Sequence, residues 1–232
     1  MAFKGFGDLP GTAEASTITN FHIDIPDEDI RRLKQLLNLT HVANANYENS
    51  RPVGGRNLGL RRDWLIEAKH TWENDFDWRR HEAHMNSFPN FKAVIKDDLG
   101  DFSIHFVALF SKKEDAVPLF FFHGWPGNFA EFLHILELLG SRYTPDTLPY
   151  HVIVPSLPGY TFSSPPPEDH DFGLTDVARL MDKLAKCLGF GGRYVVQGGD
   201  VGSRVARIMA ATYDGCKAIH CKQSTGLCLV LE

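Results

Sequence analysis

The stretch VVQGGDVGSRVARIMAA (residues 195–211) passes from β-branched apolar residues through two glycines into a helix-like segment. Asp200 stands at the point of change, with Gly198 two residues before it and Gly202 two residues after it. A serine hydrolase carries its nucleophilic serine in this central position, on a sharp turn between a strand and a helix. The pattern therefore predicts a strand–turn–helix elbow whose exposed residue is a carboxylate.

Beyond this elbow, apolar runs of β-type composition alternate with helix-length patterns from about residue 91 onward. Continuous apolar strands joined by helices are typical of a mostly parallel sheet covered on both faces, so this part predicts an α/β core. Residues 1–90 have mainly helical patterns, which predicts an N-terminal helical region over 1–90 and an α/β core over 91–232. The predicted strands are FSIHFVALF, VPLFFF, YHVIVPSL, RYVVQGG and CKAIHC, and the predicted helices of the core cover 128–139, 174–188 and 200–213.

Two expectations concern the N-terminal region. The first 20 residues are small and polar, so we expect them to be poorly ordered unless another part of the chain ties them down. Trp64, Trp72 and Trp78 are expected to pack against the α/β core.

Composition narrows the class of protein and its partners. The chain has 232 residues, with 24 basic against 29 acidic side chains and a net charge of -5, so nothing favours nucleic acid as a partner. No run approaches eighteen apolar residues, and the first residues are too polar for a secretion signal, so we expect a cytoplasmic protein that does not enter membranes. The four cysteines match no metal pattern, and His81 with His84 lacks further ligands, so no metal is expected. The sequence does not determine the oligomeric state, and a homo-oligomer remains one of the alternatives.

A second unusual loop, HGWPG (residues 123–127), directly follows the predicted strand VPLFFF. Functional loops of α/β sheets lie at the carboxyl ends of strands, and glycines let backbone amides approach a ligand there. Pro126 after the bulky Trp125 favours a fixed turn of the kind that a cis bond supplies.

Asp200 is a candidate nucleophile because it would stand at the positive end of the following helix, which favours an ionised carboxylate. Such a carboxylate can attack an electrophilic carbon and form an ester that water must then cleave. Cleavage develops an oxyanion on the original carboxyl group, and the backbone amides of Trp125 and Val201 are the natural donors to it.

Six segments, in this order, carry a resemblance to a known family: IPDEDIRRLKQLL, FDWRRHEAHMNSFPNF, EDAVPLFFFHGWPG, YHVIVPSLPGYTFSS, LGFGGRYVVQGGDVGS and CKAIH. From Phe21 to His220 the chain resembles the N-terminal half of epoxide hydrolases of the microsomal type, and in particular the soluble fungal members. The resemblance implies an α/β-hydrolase fold in which Asp200 opens a small-molecule epoxide. It also implies a cis bond between Trp125 and Pro126, and neither a metal nor an organic cofactor.

The remaining site residues take their expected roles from the same resemblance and loops. Trp125 and Val201 would supply the oxyanion hole through their backbone amides. Trp125, Pro126 and Tyr160 are expected to line the substrate site, although packing is an equal alternative for Tyr160. The structural residues of the two loops are expected to be His123, Gly124, Gly198 and Gly202.

The chain departs from the family in its last part. The family also uses a histidine base with a carboxylate partner and two lid tyrosines, all late in its sequence, and the present chain ends at Glu232, after about the sixth predicted strand. QSTGLCLVLE does not resemble the family's continuation, so we expect a truncated core without a lid, arising from a splice form or a gene-model artefact. Such a chain is expected to turn over epoxides weakly or not at all, and the alternative is an inactive fragment or an interaction protein.

Other interpretations of the elbow are weaker. A haloalkane dehalogenase would place a halide-binding tryptophan where this chain has Val201, and a serine esterase would need GxSxG, whereas Ser203 lies outside the central position. Asp200 alone could be a helix N-cap. His220 could be proposed as a substitute base, but its context favours a core or edge position.

Overall fold

The computed structural model describes residues 3–50 and 58–222, and these fall into two compact units. The larger unit combines Met1–His22 with Met85–Glu232, and the smaller unit is Ile23–His84. The chain before residue 22 packs on the sheet, where Phe6 is 2% exposed and Ile18 is 7% exposed, and this packing is the tie on which order in the first 20 residues was expected to depend.

Seven strands within the described part of the larger unit form one sheet in the order β1-β2-β3-β5-β4-β6-β7. The first four strands in that order pair antiparallel and the last four, β5-β4-β6-β7, pair parallel, so five of the seven run in one direction. This confirms the mostly parallel α/β core. The strands are β1 Ile18–Asn20, β2 Asn90–Asp97, β3 Gly100–Leu109, β4 Val117–Phe122, β5 Tyr150–Pro155, β6 Tyr194–Gly198 and β7 Cys216–Cys221.

The sequence analysis listed five strands and did not predict β1 and β2, whereas the described residues form seven strands. β1 has only three residues, and its partner β2 lies about seventy residues further along the chain, with Ile18 opposite Ala93. Pairing over such a separation leaves no local pattern in the sequence.

Helices cover both faces of the sheet. They are α5 Leu133–Arg142, α6 Leu174–Cys187 and α7 Asp200–Thr212, and a short 3₁₀ helix, Phe129–Phe132, precedes α5. Phe120 and Phe122 lie in one buried cluster with apolar residues of α6 and α7, such as Leu184. Phe121 points to the other face, because side chains alternate along a strand, and its ring lies 5.3 Å from that of Phe132.

The smaller unit contains α1 Asp27–Leu39, α2 Tyr47–Ser50, α3 Arg62–Asn74 and α4 Trp78–Met85, whose last residue belongs to the larger unit. The buried carboxylate of Glu82 accepts a 2.8 Å hydrogen bond from the backbone N–H of Ile25, and Arg79 pairs with it at 2.5 Å. Trp64 and Trp72 are 54% and 48% exposed, so the expectation that they would be packed away was wrong for these two rings.

Two neighbouring parallel strands determine where the two loops meet. β4 pairs with β6, and Phe122, the last residue of β4, lies opposite Gly198, the last residue of β6. The chain therefore leaves both strands at the same edge of the sheet, into HGWPG on one side and into the elbow on the other.

Candidate active site

The elbow has the tight geometry that its glycines permit. Asp200 is the first residue of α7 and has φ 49°, in the left-handed region that non-glycine residues rarely adopt. A Cβ on Gly198 would lie 2.3 Å from the carbonyl carbon of Gly202, and a Cβ on Gly202 would lie 2.3 Å from the carbonyl oxygen of Phe122. Any larger residue at either position would push the strand ends and the helix apart.

The HGWPG loop lies directly against the carboxylate. The backbone N–H of Trp125 donates a 2.9 Å hydrogen bond to Oδ1 of Asp200, and the Trp125–Pro126 bond is cis, as the resemblance implied. A Cβ on Gly124 would lie 2.5 Å from Cβ of Asp200. Residues 75 positions apart in sequence are thus in hydrogen-bond contact.

The surroundings of Asp200 favour its charged form. Its pKa is lowered, chiefly by the hydrogen bond from Trp125 and then by one from the backbone N–H of Val201, with a smaller effect of the Arg204 guanidinium. The carboxylate is therefore ionised at neutral pH and has two amide donors. Val201 is partly buried against the core, so the position that carries a halide-binding tryptophan in dehalogenases holds an aliphatic packing residue.

Asp200 opens onto a cavity of about 520 Å³. Four of its lining residues were predicted site or loop residues, namely Gly124, Trp125, Pro126 and Asp200. The sequence analysis assigned no site role to the others, although Gly127, Gln197 and Gly199 stand inside the two quoted stretches. The missed lining residues are Phe122, Gly127, Glu131, Phe132, Gln197, Gly199 and Lys222.

Some of the missed residues could have been predicted from their position in the sequence, and others could not. Glu131 follows HGWPG by four residues and Gln197 precedes Asp200 by three, so closeness to the motifs could have indicated both. Lys222 follows β7, and its backbone N–H donates to the carbonyl oxygen of Gly198, which brings its side chain to the cavity through tertiary structure alone. The Oε1 atom of Gln197 is buried without a hydrogen-bond partner in the described chain.

His123 holds the HGWPG loop in place. Its ring is 1% exposed, and its Nε2 accepts a 3.0 Å hydrogen bond from the backbone N–H of Leu157. Burial lowers the pKa of His123, which keeps this nitrogen free to accept. Tyr160 packs edge-on against the same ring, with the centroids 4.7 Å apart, and is not among the described residues lining the cavity.

A buried polar network supports the loop that follows β5. His105 is fully buried, with Nδ1 2.9 Å from Oγ of Ser156 and Nε2 3.1 Å from Oδ1 of Asn90. Desolvation lowers the pKa of His105 to about 3, so the ring is neutral. Ser163 accepts the N–H of His105 at 3.0 Å and so fixes the segment containing Tyr160 to β3.

Other candidates from the sequence lie outside the cavity. The Ser203 hydroxyl donates 2.6 Å to the carbonyl oxygen of Asp200, which is a helix-start interaction. His220 is exposed on β7, where it pairs with Gln197, and is not among the residues described as lining the cavity. His81 stacks on Phe76 in the smaller unit, with ring centroids 4.8 Å apart.

Fold and site together define an α/β-hydrolase with an aspartate at the elbow. A family model described as alpha/beta hydrolase fold matches residues 117–228, and one described as epoxide hydrolase N terminus matches residues 18–132. The predicted resemblance to epoxide hydrolases is confirmed by these two matches, which overlap over residues 117–132.

Individual proteins agree with the family models. The structure of Aspergillus niger epoxide hydrolase superposes with a TM-score of 0.88 at 47% identity, covering 97% of this chain and 56% of that one. A Dothistroma septosporum protein, named provisionally as an epoxide hydrolase, is 44% identical over 94% of this chain and 51% of its own. Juvenile hormone epoxide hydrolase from Bombyx mori superposes with a TM-score of 0.72 at 26% identity, covering 88% of this chain and 52% of that one.

The chain spans about half the length of the curated relatives it matches. Among the helices of residues 3–50 and 58–222, none is long and apolar enough to cross a membrane.

Proposed function

We propose that the Asp200 elbow and the HGWPG loop form the nucleophile and oxyanion hole of an epoxide hydrolase, which converts an epoxide and water to a vicinal diol. The observation that carries this proposal is the 2.9 Å hydrogen bond from the Trp125 amide to Oδ1 of Asp200. It supports the proposal because, in the proposed mechanism, Oδ1 is the oxygen that becomes negatively charged during ester cleavage, and a preorganised donor there would stabilise that charge.

The proposed first step uses the other oxygen of the carboxylate. With Oδ1 held by Trp125, Oδ2 of Asp200 is left to attack an epoxide carbon, and the ring C–O bond breaks. The alkoxide formed takes a proton, and the product is a hydroxyalkyl ester on Asp200. The lowered pKa of Asp200 supports this role, since the nucleophile needs no base to ionise it.

The second step is hydrolysis of the ester. Water attacks the ester carbonyl carbon, the carbonyl oxygen becomes an oxyanion, and the amides of Trp125 and Val201 stabilise it. Collapse of this intermediate releases the diol and restores the carboxylate, which retains one oxygen from water.

We propose that this chain forms the ester and hydrolyses it slowly. None of the described residues that line the cavity is a histidine, and His123 is already bound to Leu157. A general base typically increases the rate of such a step by about 10²- to 10⁴-fold, so hydrolysis of the ester should be slower by about this factor. An inactive fragment that serves in interactions is the second candidate, and the same observation favours it.

Intact-protein mass spectrometry after incubation with styrene oxide separates these candidates. We expect an adduct with the mass of one epoxide that accumulates on the 232-residue chain and is lost in Asp200→Asn. His81→Asn, in the smaller unit, is the control that should keep the adduct. A folded wild-type chain without any adduct, or an equal adduct on Asp200→Asn, would refute the nucleophile assignment, and rapid steady-state diol release would refute the slow second step.

A further inference from the structure

A second and larger groove lies at the opposite edge of the sheet from Asp200. Its volume is about 1030 Å³, and it is lined by the amino-terminal ends of β4 and β5, by the turn before β6, and by the N-terminal residues 8–12. Asp200 follows the carboxyl end of β6, so the two cavities are separated by the length of the strands. Nothing in the proposed epoxide chemistry uses this groove.

The groove contains one buried polar side chain with an unused donor. His151 is 8% exposed, and its Nδ1 accepts a 3.2 Å hydrogen bond from the backbone N–H of Ser111. Burial lowers the pKa of His151 to about 4, so the ring is neutral at pH 7 and its proton is on Nε2. The hydrogen bond from Ser111 is the one that the described residues make with this ring, and Nε2 is not among their buried side-chain atoms without a partner, so Nε2 is accessible from the groove that the ring lines.

The walls around His151 are apolar. The ring of Phe190 lies 4.7 Å from that of His151, and the buried Ala116 and Pro118 continue the surface. A mostly apolar wall with a few fixed polar groups is typical of small-molecule sites.

The charged residues of the rim cancel one another. Three basic side chains face three acidic ones, and the pairs include Lys112 with Asp8 at 3.6 Å and Lys113 with Asp115 at 3.3 Å. The third basic side chain, Arg193, donates to the carbonyl oxygen of Asp115 at 3.4 Å. The rim therefore has no net charge that would offset the free energy an ionic ligand loses when it leaves water.

We propose that this groove is a binding site for a small neutral molecule that has a ring and an oxygen acceptor. The ring would lie on Phe190, and the oxygen would accept the Nε2–H of His151. The site is independent of Asp200 and of the proposed hydrolysis.

The test uses acetophenone, a neutral aromatic ketone, as the probe, with benzoate and benzylammonium as charged molecules of similar shape. Saturation-transfer NMR titration of the full chain should show saturable binding of acetophenone and at least about fivefold weaker binding of both ions. His151→Phe keeps an aromatic ring, removes the Nε2–H donor together with the acceptor of the Ser111 N–H, and should weaken acetophenone binding about 3- to 10-fold.

Two further variants keep the proposal testable if His151→Phe does not fold. A Cβ on Gly192 meets nothing within 4 Å, so Gly192→Trp should fill the groove without disturbing the fold and abolish binding. Asp200→Asn should bind acetophenone like the wild type. No saturable binding, equal binding of the ions, wild-type affinity in Gly192→Trp, or loss of affinity in Asp200→Asn would each overturn the proposal.

Discussion

Gly202→Ala should separate the two loops of the proposed active site. The new Cβ would lie 2.3 Å from the carbonyl oxygen of Phe122 and 2.6 Å from that of His123, whereas ordinary contact begins at 3.4 Å. Because both atoms are backbone, α7 and the end of β4 must move apart by about 1 Å. The 2.9 Å hydrogen bond from Trp125 to Asp200 spans this gap and should be lost.

Gly202→Ala should change both the stability of the fold and the rate of ester hydrolysis. Overpacking of a close backbone contact typically costs about 1–3 kcal/mol, which lowers the melting temperature by about 2–12 °C in a chain of this size. Loss of one oxyanion-hole donor typically slows the step that uses it by about 10²- to 10³-fold. Ester hydrolysis, followed as decay of the styrene oxide adduct after excess epoxide is removed, should slow accordingly.

Gly199→Ala is the matched control at the same elbow. A Cβ on Gly199 would meet only the Lys222 side chain, at 3.7 Å, which is ordinary contact. Thermal unfolding and adduct decay should therefore remain close to wild type. A Gly202→Ala protein that melts and reacts like wild type, or a Gly199→Ala protein with an equal defect, would refute this account of the close approach.

Three further predictions concern charge. The free energy of unfolding should fall as the pH drops from about 6.5 toward 3. The reason is that His105, with a pKa of about 3, stays neutral in the folded chain, while the same ring binds a proton in the unfolded chain. Denaturant titrations at pH 7 and pH 4.5 should therefore show a smaller loss of stability for His105→Gln than for the wild type. Asp97→Asn should lower the free energy of unfolding in urea by about 2–4 kcal/mol, because it leaves Arg179 without the buried carboxylate that lies 3.0 Å away. Asp101→Asn, which removes an exposed ion pair, should lower it by about 0.5 kcal/mol or less. Adduct formation on Asp200 should have the same rate at pH 5 and pH 8, because its lowered pKa keeps it ionised throughout, and a rise with pH would contradict that.

Some features of the candidate site could be predicted from adjacent residues in the sequence, and others could not. The elbow at Asp200, the cis bond before Pro126 and the strand leading to each loop were predicted, because turn chemistry and apolar runs depend on adjacent residues. For Tyr160 the sequence left a substrate-site role and a packing role as equal alternatives, and its ring packs on His123 in the structure, a contact that no neighbouring residue in the sequence indicates.

The sequence by itself determined the strands from β3 onward, the helices of the core, the carboxylate at the elbow and the resemblance to epoxide hydrolases. These follow from patterns of a few adjacent residues. Only the tertiary structure decided that Lys222 reaches the cavity beside Asp200 and that His105 joins Asn90 to Ser156. Each of those contacts depends on strand pairing between distant segments, which places side chains within hydrogen-bond range only after the sheet has formed.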